Sequence, residues 1–158
     1  MRHVNPIKQS LLNTRPTVGC WLTLASPAVA ELLAHCGFDW LVIDAEHGPS
    51  DTQDLAAQLR AIDAAAFKGA KAAGAVRVTA NDPGLVKRAM DCGARTLVFP
   101  NIDTATEAQA AQVRAGTAPD NFLSLPELSD FERSHLRDAF VVVRTMQSAV
   151  GSARGART

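Results

Sequence analysis

The chain has 158 residues, and its 16 lysines and arginines are balanced by 16 aspartates and glutamates. This length allows one ordinary domain or part of a larger one, and a hydrophobic fraction of 47% indicates a globular protein. Zero net charge argues against a nucleic-acid or anionic-membrane partner, and no apolar run is long enough to cross a membrane as a helix.

The first half of the chain alternates short apolar runs with amphipathic stretches. Residues 18–24 predict a first strand. Ser26 and Pro27 are a favoured N-cap and first helical residue, and Gly37 is expected to end the helix that they begin. Residues 38–45 predict a second strand, and Asp51 is expected to cap the helix after it.

The same alternation continues to about residue 115. Residues 64–75 are rich in small side chains and are expected to form a connection, and residues 75–79 a third strand. Asp82 and Pro83 repeat the cap-and-proline start of a helix. Further expected elements are a fourth strand over residues 95–100 and a capping box from Thr104 to Glu107 that begins another helix.

Strands that alternate with helices predict an α/β fold with a parallel sheet. We divide the chain into residues 1–115, which carry this pattern, and residues 116–158, a polar and diverged tail. Within the tail we expect a fifth strand over residues 139–145 and a loose carboxyl terminus.

The three cysteines, Cys20, Cys36 and Cys92, form no C-x-x-C pair. Their odd number and spacing argue against a zinc site and against a disulfide framework. We therefore expect buried, reduced thiols. The amino terminus also lacks the apolar core of a signal peptide, which favours a cytoplasmic location.

Ionisable residues are concentrated where the second strand ends. Asp44, Glu46 and His47 follow an apolar run, and the carboxyl ends of parallel strands are where such folds bind ligands. A carboxylate beside His47 would hold its tautomer and suit it to act as a general base. The same residues could instead bind a metal or form a solvated strand end.

Arg77 lies within the apolar third strand, where a guanidinium needs an anionic partner. That partner is either a protein carboxylate such as Asp44 or a bound ligand, and the two alternatives are compatible. Trp21 and Trp40 are interpreted as core residues more readily than as stacking platforms.

Three longer blocks carry a resemblance. They read G-C-W-L-T-L-A-S-P from residue 19, E-L-L-A-H-C-G-F-D-W-L-V-I-D-A-E-H-G-P from residue 31 and L-V-F-P-N-I-D-T-A-T-E-A from residue 97. Over residues 5–115 the chain resembles the HpcH/HpaI aldolase family. The resemblance implies a (β/α)8 barrel that assembles as a homo-oligomer. It also implies divalent-metal-dependent cleavage, with Mg²⁺ or Mn²⁺, of 4-hydroxy-2-oxo acids to pyruvate and an aldehyde.

The resemblance also implies roles for individual residues. His47 matches the catalytic base, which works through a bound water, and Asp44 matches its acidic neighbour. Arg77 matches the arginine that contacts the keto oxygen and stabilises the pyruvate enolate. Trp21 and Pro100 are further candidates for contact with the substrate.

The chain departs from the family pattern in its second part. A (β/α)8 barrel takes roughly 250 residues, and Arg144 would stand where the family places a metal-binding glutamate. Because the family's second metal ligand, an aspartate, has no counterpart either, we assign no metal ligand. We expect the isolated chain to bind Mg²⁺ or Mn²⁺ no tighter than millimolar and to show little or no aldolase activity.

Three interpretations follow. The chain is an incomplete barrel that acts as an aldolase, alone or after complementation. Alternatively, it is a non-catalytic remnant that binds an oxo acid or only assembles with partner chains. A doubly wound sheet suits the length, but a glycine-rich phosphate loop is missing after the first strand. The unpaired strand edges of an incomplete barrel favour a homo-oligomer.

Overall fold

The computed structural model describes residues 5–13, 15–102, 104, 106–107, 110–111 and 140–143. Its strands are β1 (Gly19–Leu22), β2 (Trp40–Asp44), β3 (Ala73–Arg77), β4 (Thr96–Phe99) and β5 (Phe140–Val143). Its helices are α1 (Pro6–Leu12), α2 (Pro27–Ala34), α3 (Thr52–Phe67) and α4 (Pro83–Asp91). Among these residues no helix has the length and apolarity needed to cross a bilayer.

The five strands form one parallel sheet in the order β1-β2-β3-β4-β5. This confirms the predicted α/β fold with a parallel sheet. A strand order that follows the chain is that of a (β/α)8 barrel built up to its fifth strand, whereas a doubly wound sheet reverses its order at a switch point. The doubly wound interpretation is therefore wrong for the described sheet.

Side chains alternate between two faces of the sheet, as the pleat requires. One face packs against α2, α3 and α4. It carries the main core, which includes Leu22, Leu41, Ile43, Val76, Leu97 and Phe99. The opposite face carries Val42, Ala75 and Val98, against which Ile7 of α1 packs. Asp44 and Arg77 end their strands in phase with Val42 and Ala75, so they belong to this second face.

Local capping explains where the helices begin and end. The side chains of Ser26, Asp51 and Asp82 accept hydrogen bonds from backbone N–H groups in the first turns of α2, α3 and α4. Gly37 and Gly93, which follow α2 and α4, have φ values of +89° and +105°. Only glycine adopts this region at little cost, so the predicted end of α2 at Gly37 is confirmed, and Gly93 ends α4 in the same way. Thr104 and Glu107 also form the predicted reciprocal capping bonds.

Two boundaries differ from prediction. Residues 64–75 are not a simple connection, because α3 continues to Phe67 and β3 already begins at Ala73. Alanine is the strongest helix former, which extends α3, and Ala73 joins the sheet by pairing with Trp40. Helix α1 was not predicted, although Asn5 and Pro6 carry the same cap-and-proline signal as the other helices.

The second part of the chain is described only over β5, which pairs with β4 inside the predicted range of 139–145. The remainder of 116–158, including Arg144, lies outside the described residues. The three cysteines are free, as expected, but not buried: Cys36 is exposed and the other two are half-buried. Cys36 lies in the turn after α2, where the chain leaves the core.

Candidate functional site at the carboxyl edge of the sheet

A bidentate ion pair joins the carboxyl ends of β2 and β3. Arg77 donates from Nε to Asp44 Oδ1 at 2.9 Å and from Nη2 to Asp44 Oδ2 at 2.5 Å. The two residues are direct partners in the sheet register, and Asp44 is only 3% exposed. Two kinds of anionic partner were expected for Arg77, a protein carboxylate or a bound ligand. The structure shows the protein carboxylate, which is that of Asp44.

The loop after β2 is folded back by the same carboxylate. Asp44 Oδ1 accepts hydrogen bonds from the backbone N–H groups of Glu46 at 3.0 Å and His47 at 3.1 Å. This turn brings Glu46 Oε2 to 3.0 Å from Arg77 Nη1. Arg77 is thus held by two carboxylates through three of its nitrogens.

His47 lies at the solvent side of this cluster. Its side chain is 73% exposed, and its Nε2 lies 3.8 Å from Glu46 Oε2. The carboxylate nearest the ring is therefore that of Glu46, whereas Asp44 contacts only the backbone N–H of His47. Asp44, which was expected to be the acidic neighbour of the base, therefore pairs with the side chain of Arg77 and not with the ring of His47.

The ion pair fixes the charge of both partners. Burial by itself raises the pKa of Asp44, but hydrogen bonds from Arg77 and from the backbone of His47 and Glu46 outweigh it and leave the pKa below its ordinary value of 3.8. The hydrogen bonds to Asp44 raise the pKa of Arg77 further. A charged guanidinium is therefore available at neutral pH to face an anion.

Trp21 covers the guanidinium. The Cζ atom of Arg77 lies 4.7 Å from the centroid of the Trp21 ring, which is a cation–π arrangement. Trp21 is 39% exposed, so the interpretation of this residue as core is wrong. The alternation along β1 explains why: Trp21 registers with Val42 and so projects from the same face as Asp44.

Trp40, two residues before Val42, packs against backbone. Its ring lies so close to Gly19 that a Cβ added there would approach it to 2.0 Å, and its Nε1 donates to Thr17 Oγ1 at 3.2 Å. The half-buried Trp40 also packs against the second core face. It therefore fills space at the amino edge, far along the strand from Asp44.

Pro100 follows β4 at the same edge of the sheet, one strand beyond Arg77. The next residue, Asn101, has a φ of +54°, and Ala25, in the loop after β1, has a φ of +50°. Both non-glycine residues lie in loops at the carboxyl edge. Backbone in this sparsely populated region is often found at functional sites.

A divalent metal does not fit the described part of this site. No group of three histidine, cysteine or acidic side chains suited to an ion occurs among the described residues. Asp44 uses both oxygens on Arg77 and on backbone N–H groups, and Glu46 Oε2 is paired with Arg77. Arg144, where the family pattern expects a ligand, lies outside the described residues.

The profile of the HpcH/HpaI aldolase/citrate lyase family matches residues 17–124. The chain belongs to this family. A second profile, that of a putative nucleotidyltransferase substrate binding domain, matches residues 102–153, most of which lie outside the described residues.

Two relatives of this chain are named as aldolases. The hydroxypyruvate/pyruvate aldolase of Paraburkholderia phytofirmans is 52% identical over 107 residues, which are 68% of this chain and 40% of that protein. The 5-keto-4-deoxy-D-glucarate aldolase of Klebsiella pneumoniae is 42% identical over 72% of this chain and 41% of its own length. The chain thus spans about two fifths of these relatives.

A solved structure supports the same fold. An HpcH/HpaI aldolase/citrate lyase family protein from Burkholderia cenocepacia superposes with a TM-score of 0.77 at 40% identity. The match covers 89% of this chain and 59% of that one. The match confirms, for the described strands, the α/β fold of an aldolase-type barrel that the sequence predicts.

Proposed function

We propose that the chain carries the substrate-activating part of a pyruvate-type aldolase, a carbon–carbon lyase that cleaves 4-hydroxy-2-oxo acids. The observation that supports this most directly is Arg77, a half-buried and permanently charged guanidinium fixed by Asp44 beside the exposed His47. Such a cation offsets the negative charge that develops on the keto oxygen when the carbon–carbon bond breaks. The aldolase names of its relatives agree with this chemistry.

In the proposed reaction His47, through a water, takes the proton of the substrate 4-hydroxyl group. The bond between C3 and C4 then breaks, and its electrons pass into the 2-oxo group to form an enolate. C4 leaves as the aldehyde carbon, and Arg77 holds the enolate oxygen. Protonation of C3 releases pyruvate and returns the proton, so atoms and charge balance.

Trp21 and Pro100 are proposed to line the substrate side of this cluster. Trp21 covers one face of the Arg77 guanidinium, so a ligand at Arg77 would also meet the indole ring. No step of this mechanism is assigned to a metal, because the described residues do not form a site for one.

The proposed setting is cytoplasmic and oligomeric. The free cysteines Cys20, Cys36 and Cys92 suit a reducing compartment. β1 forms an edge of the described sheet, and Val18 and Leu24, which flank that strand, are exposed. Association of copies along such an edge would cover it.

The first prediction concerns His47, and a coupled assay of pyruvate release from a 4-hydroxy-2-oxo acid tests it. We expect His47→Ala to lower turnover by about 10²- to 10⁴-fold, the usual range for loss of a general base. Because the His47 side chain is largely exposed, this substitution should leave the fold intact.

The matched control is His35→Ala. His35 is also exposed but caps the carboxyl end of α2, at the opposite edge of the sheet. It should turn over substrate as the unsubstituted chain does. Equal activity of the His47→Ala and His35→Ala variants would refute the role of His47. Absence of any pyruvate release from the unsubstituted chain would favour the non-catalytic interpretation.

A further inference from the structure

The guanidinium of Arg77 offers a second carboxylate only one docking position. Asp44 already fills the side formed by Nε and Nη2. A planar guanidinium can receive another carboxylate in the bidentate manner on its end, through Nη1 and the second hydrogen of Nη2. Glu46 Oε2 lies 3.0 Å from Nη1 and therefore occupies half of that end.

The two carboxylates are held with different strength. Asp44 is buried in the strand, and its two oxygens accept four hydrogen bonds from Arg77 and from the loop backbone. Glu46 lies in the loop after β2 and contacts Arg77 through Oε2 alone. Of the two, Glu46 is the one that an incoming anion can displace.

Charge leads to the same residue. Asp44, Glu46 and Arg77 together carry a formal charge of minus one. An anionic ligand that approaches Arg77 therefore meets a site whose net charge is negative and repels it. Displacing Glu46 from Nη1 removes the nearest competing charge and frees the hydrogen bond that the ligand needs.

We propose that Glu46 is an internal competitor that occupies the ligand-binding end of Arg77 and is displaced by the carboxylate or keto oxygen of a 2-oxo acid. This inference rests on the proposed role of Arg77 as the anion receptor. It assigns Glu46 the role of a specificity-determining residue: only an anion that binds the guanidinium fork better than Glu46 gains access.

The test measures binding and does not need turnover. In a Trp40→Phe background, Trp21 is the only tryptophan and reports on ligands at Arg77 by its fluorescence. With pyruvate as the probe, we expect Glu46→Gln to lower the Kd by about tenfold, the effect of losing one charged competitor for a hydrogen bond. Glutamine keeps a neutral acceptor of nearly the same size, so the loop should keep its fold. Titration calorimetry checks the result without the fluorophore.

The matched control is Glu31→Gln. It removes the same charge from an exposed pair with Lys68 on another part of the surface, and it should leave the Kd unchanged. An unchanged or raised Kd for Glu46→Gln would overturn the inference, since Glu46 would then be neutral or would help to hold Arg77 in place. Equal tightening by both variants would also overturn it, because the effect would be that of net charge.

The outcomes separate this inference from the proposed function. Tighter pyruvate binding by Glu46→Gln in a chain without aldolase activity would support the competitor role and refute catalysis. Aldolase activity with no change in Kd would do the reverse. Failure of all variants to bind pyruvate at millimolar concentrations would refute both.

Discussion

β2 has an aspartate at each end, and the two aspartates are built into the structure in different ways. Asp39, just before the strand, contacts Arg15 at 3.0 Å and Lys71 at 3.3 Å, and both of these cations are exposed. Asp44, at the carboxyl end, is buried and paired bidentately with Arg77. The ion pairs of Asp39, at the amino edge of the sheet, join segments at the surface. The ion pair of Asp44, at the carboxyl edge, instead holds a carboxylate charge that is removed from water.

The backbone at the two edges differs in a parallel way. Within the described residues, Gly37, Gly69 and Gly93 adopt positive φ at the amino edge, where glycine does so at little cost. At the carboxyl edge the positive φ values belong to Ala25 and Asn101. The amino edge is therefore relaxed, and the carboxyl edge holds both buried charge and backbone strain, as expected of a site chosen for chemistry over stability.

The largest expected difference between the edges follows from replacing each aspartate by asparagine. Asp44→Asn should lower the free energy of unfolding by about 3 kcal/mol, because it leaves the Arg77 charge half-buried without its main partner. Asp39→Asn makes the same chemical change on the same strand and should cost much less, since water takes over from exposed partners. Urea unfolding followed by circular dichroism measures both losses, and equal losses would show that the two aspartates contribute alike to stability.

Much of this organisation could be predicted from the sequence. The caps Ser26, Asp51 and Asp82 are local signals, so the helices that they begin were placed correctly. β3 was placed two residues too far along, because its first residues are Ala73 and Gly74, which have no strand propensity and join the sheet only through pairing with β2.

The site was predictable to the same extent. The meeting of Asp44 and Arg77 follows from strand order alone, because both residues end neighbouring parallel strands. The contact between Glu46 and Arg77 does not, because it depends on a turn that Asp44 imposes through hydrogen bonds to the loop backbone. The signal was present in the D-x-E-H spacing, since aspartate commonly bonds the backbone two residues on.

A second expected difference concerns pH. The pKa of Asp44 lies below its ordinary value of 3.8, and hydrogen bonds outweigh burial. The pKa of Asp39 is also lowered, first by the backbone N–H of Val18 and then by Lys71 and Arg15. A lowered folded-state pKa means that each ionised carboxylate contributes full stability above pH 3.8, and that this contribution is lost as pH falls through the folded-state pKa.

We therefore expect the stability gap between the unsubstituted chain and Asp44→Asn to be constant from neutral pH to about 4.5 and to shrink below 3.8. Salt should distinguish the two aspartates. In 1 M NaCl, where the Debye length is about 3 Å, the loss of stability caused by Asp39→Asn should become smaller, whereas most of the loss caused by Asp44→Asn should remain. Urea unfolding at several pH values, with and without salt, provides the measurement. A salt-sensitive Asp44 gap would show that its ion pair is hydrated.

The smallest expected effects come from the backbone, and they should have opposite signs at the two edges. Ala25→Gly removes the strain of the left-handed backbone conformation at the carboxyl edge and should raise the free energy of unfolding by about 0.5 kcal/mol. The gain is small because glycine also has greater conformational freedom in the unfolded chain. Gly37→Ala at the amino edge should lower the free energy of unfolding by about 1 kcal/mol. Apart from Gly37 itself and its two neighbours in the chain, nothing lies within 4 Å of the added Cβ, so that loss reflects φ alone. Thermal unfolding of the two variants measures both signs. If Ala25→Gly destabilised the chain as much as Gly37→Ala, the carboxyl edge would carry no relievable strain, and only its buried ion pair would distinguish it from the amino edge.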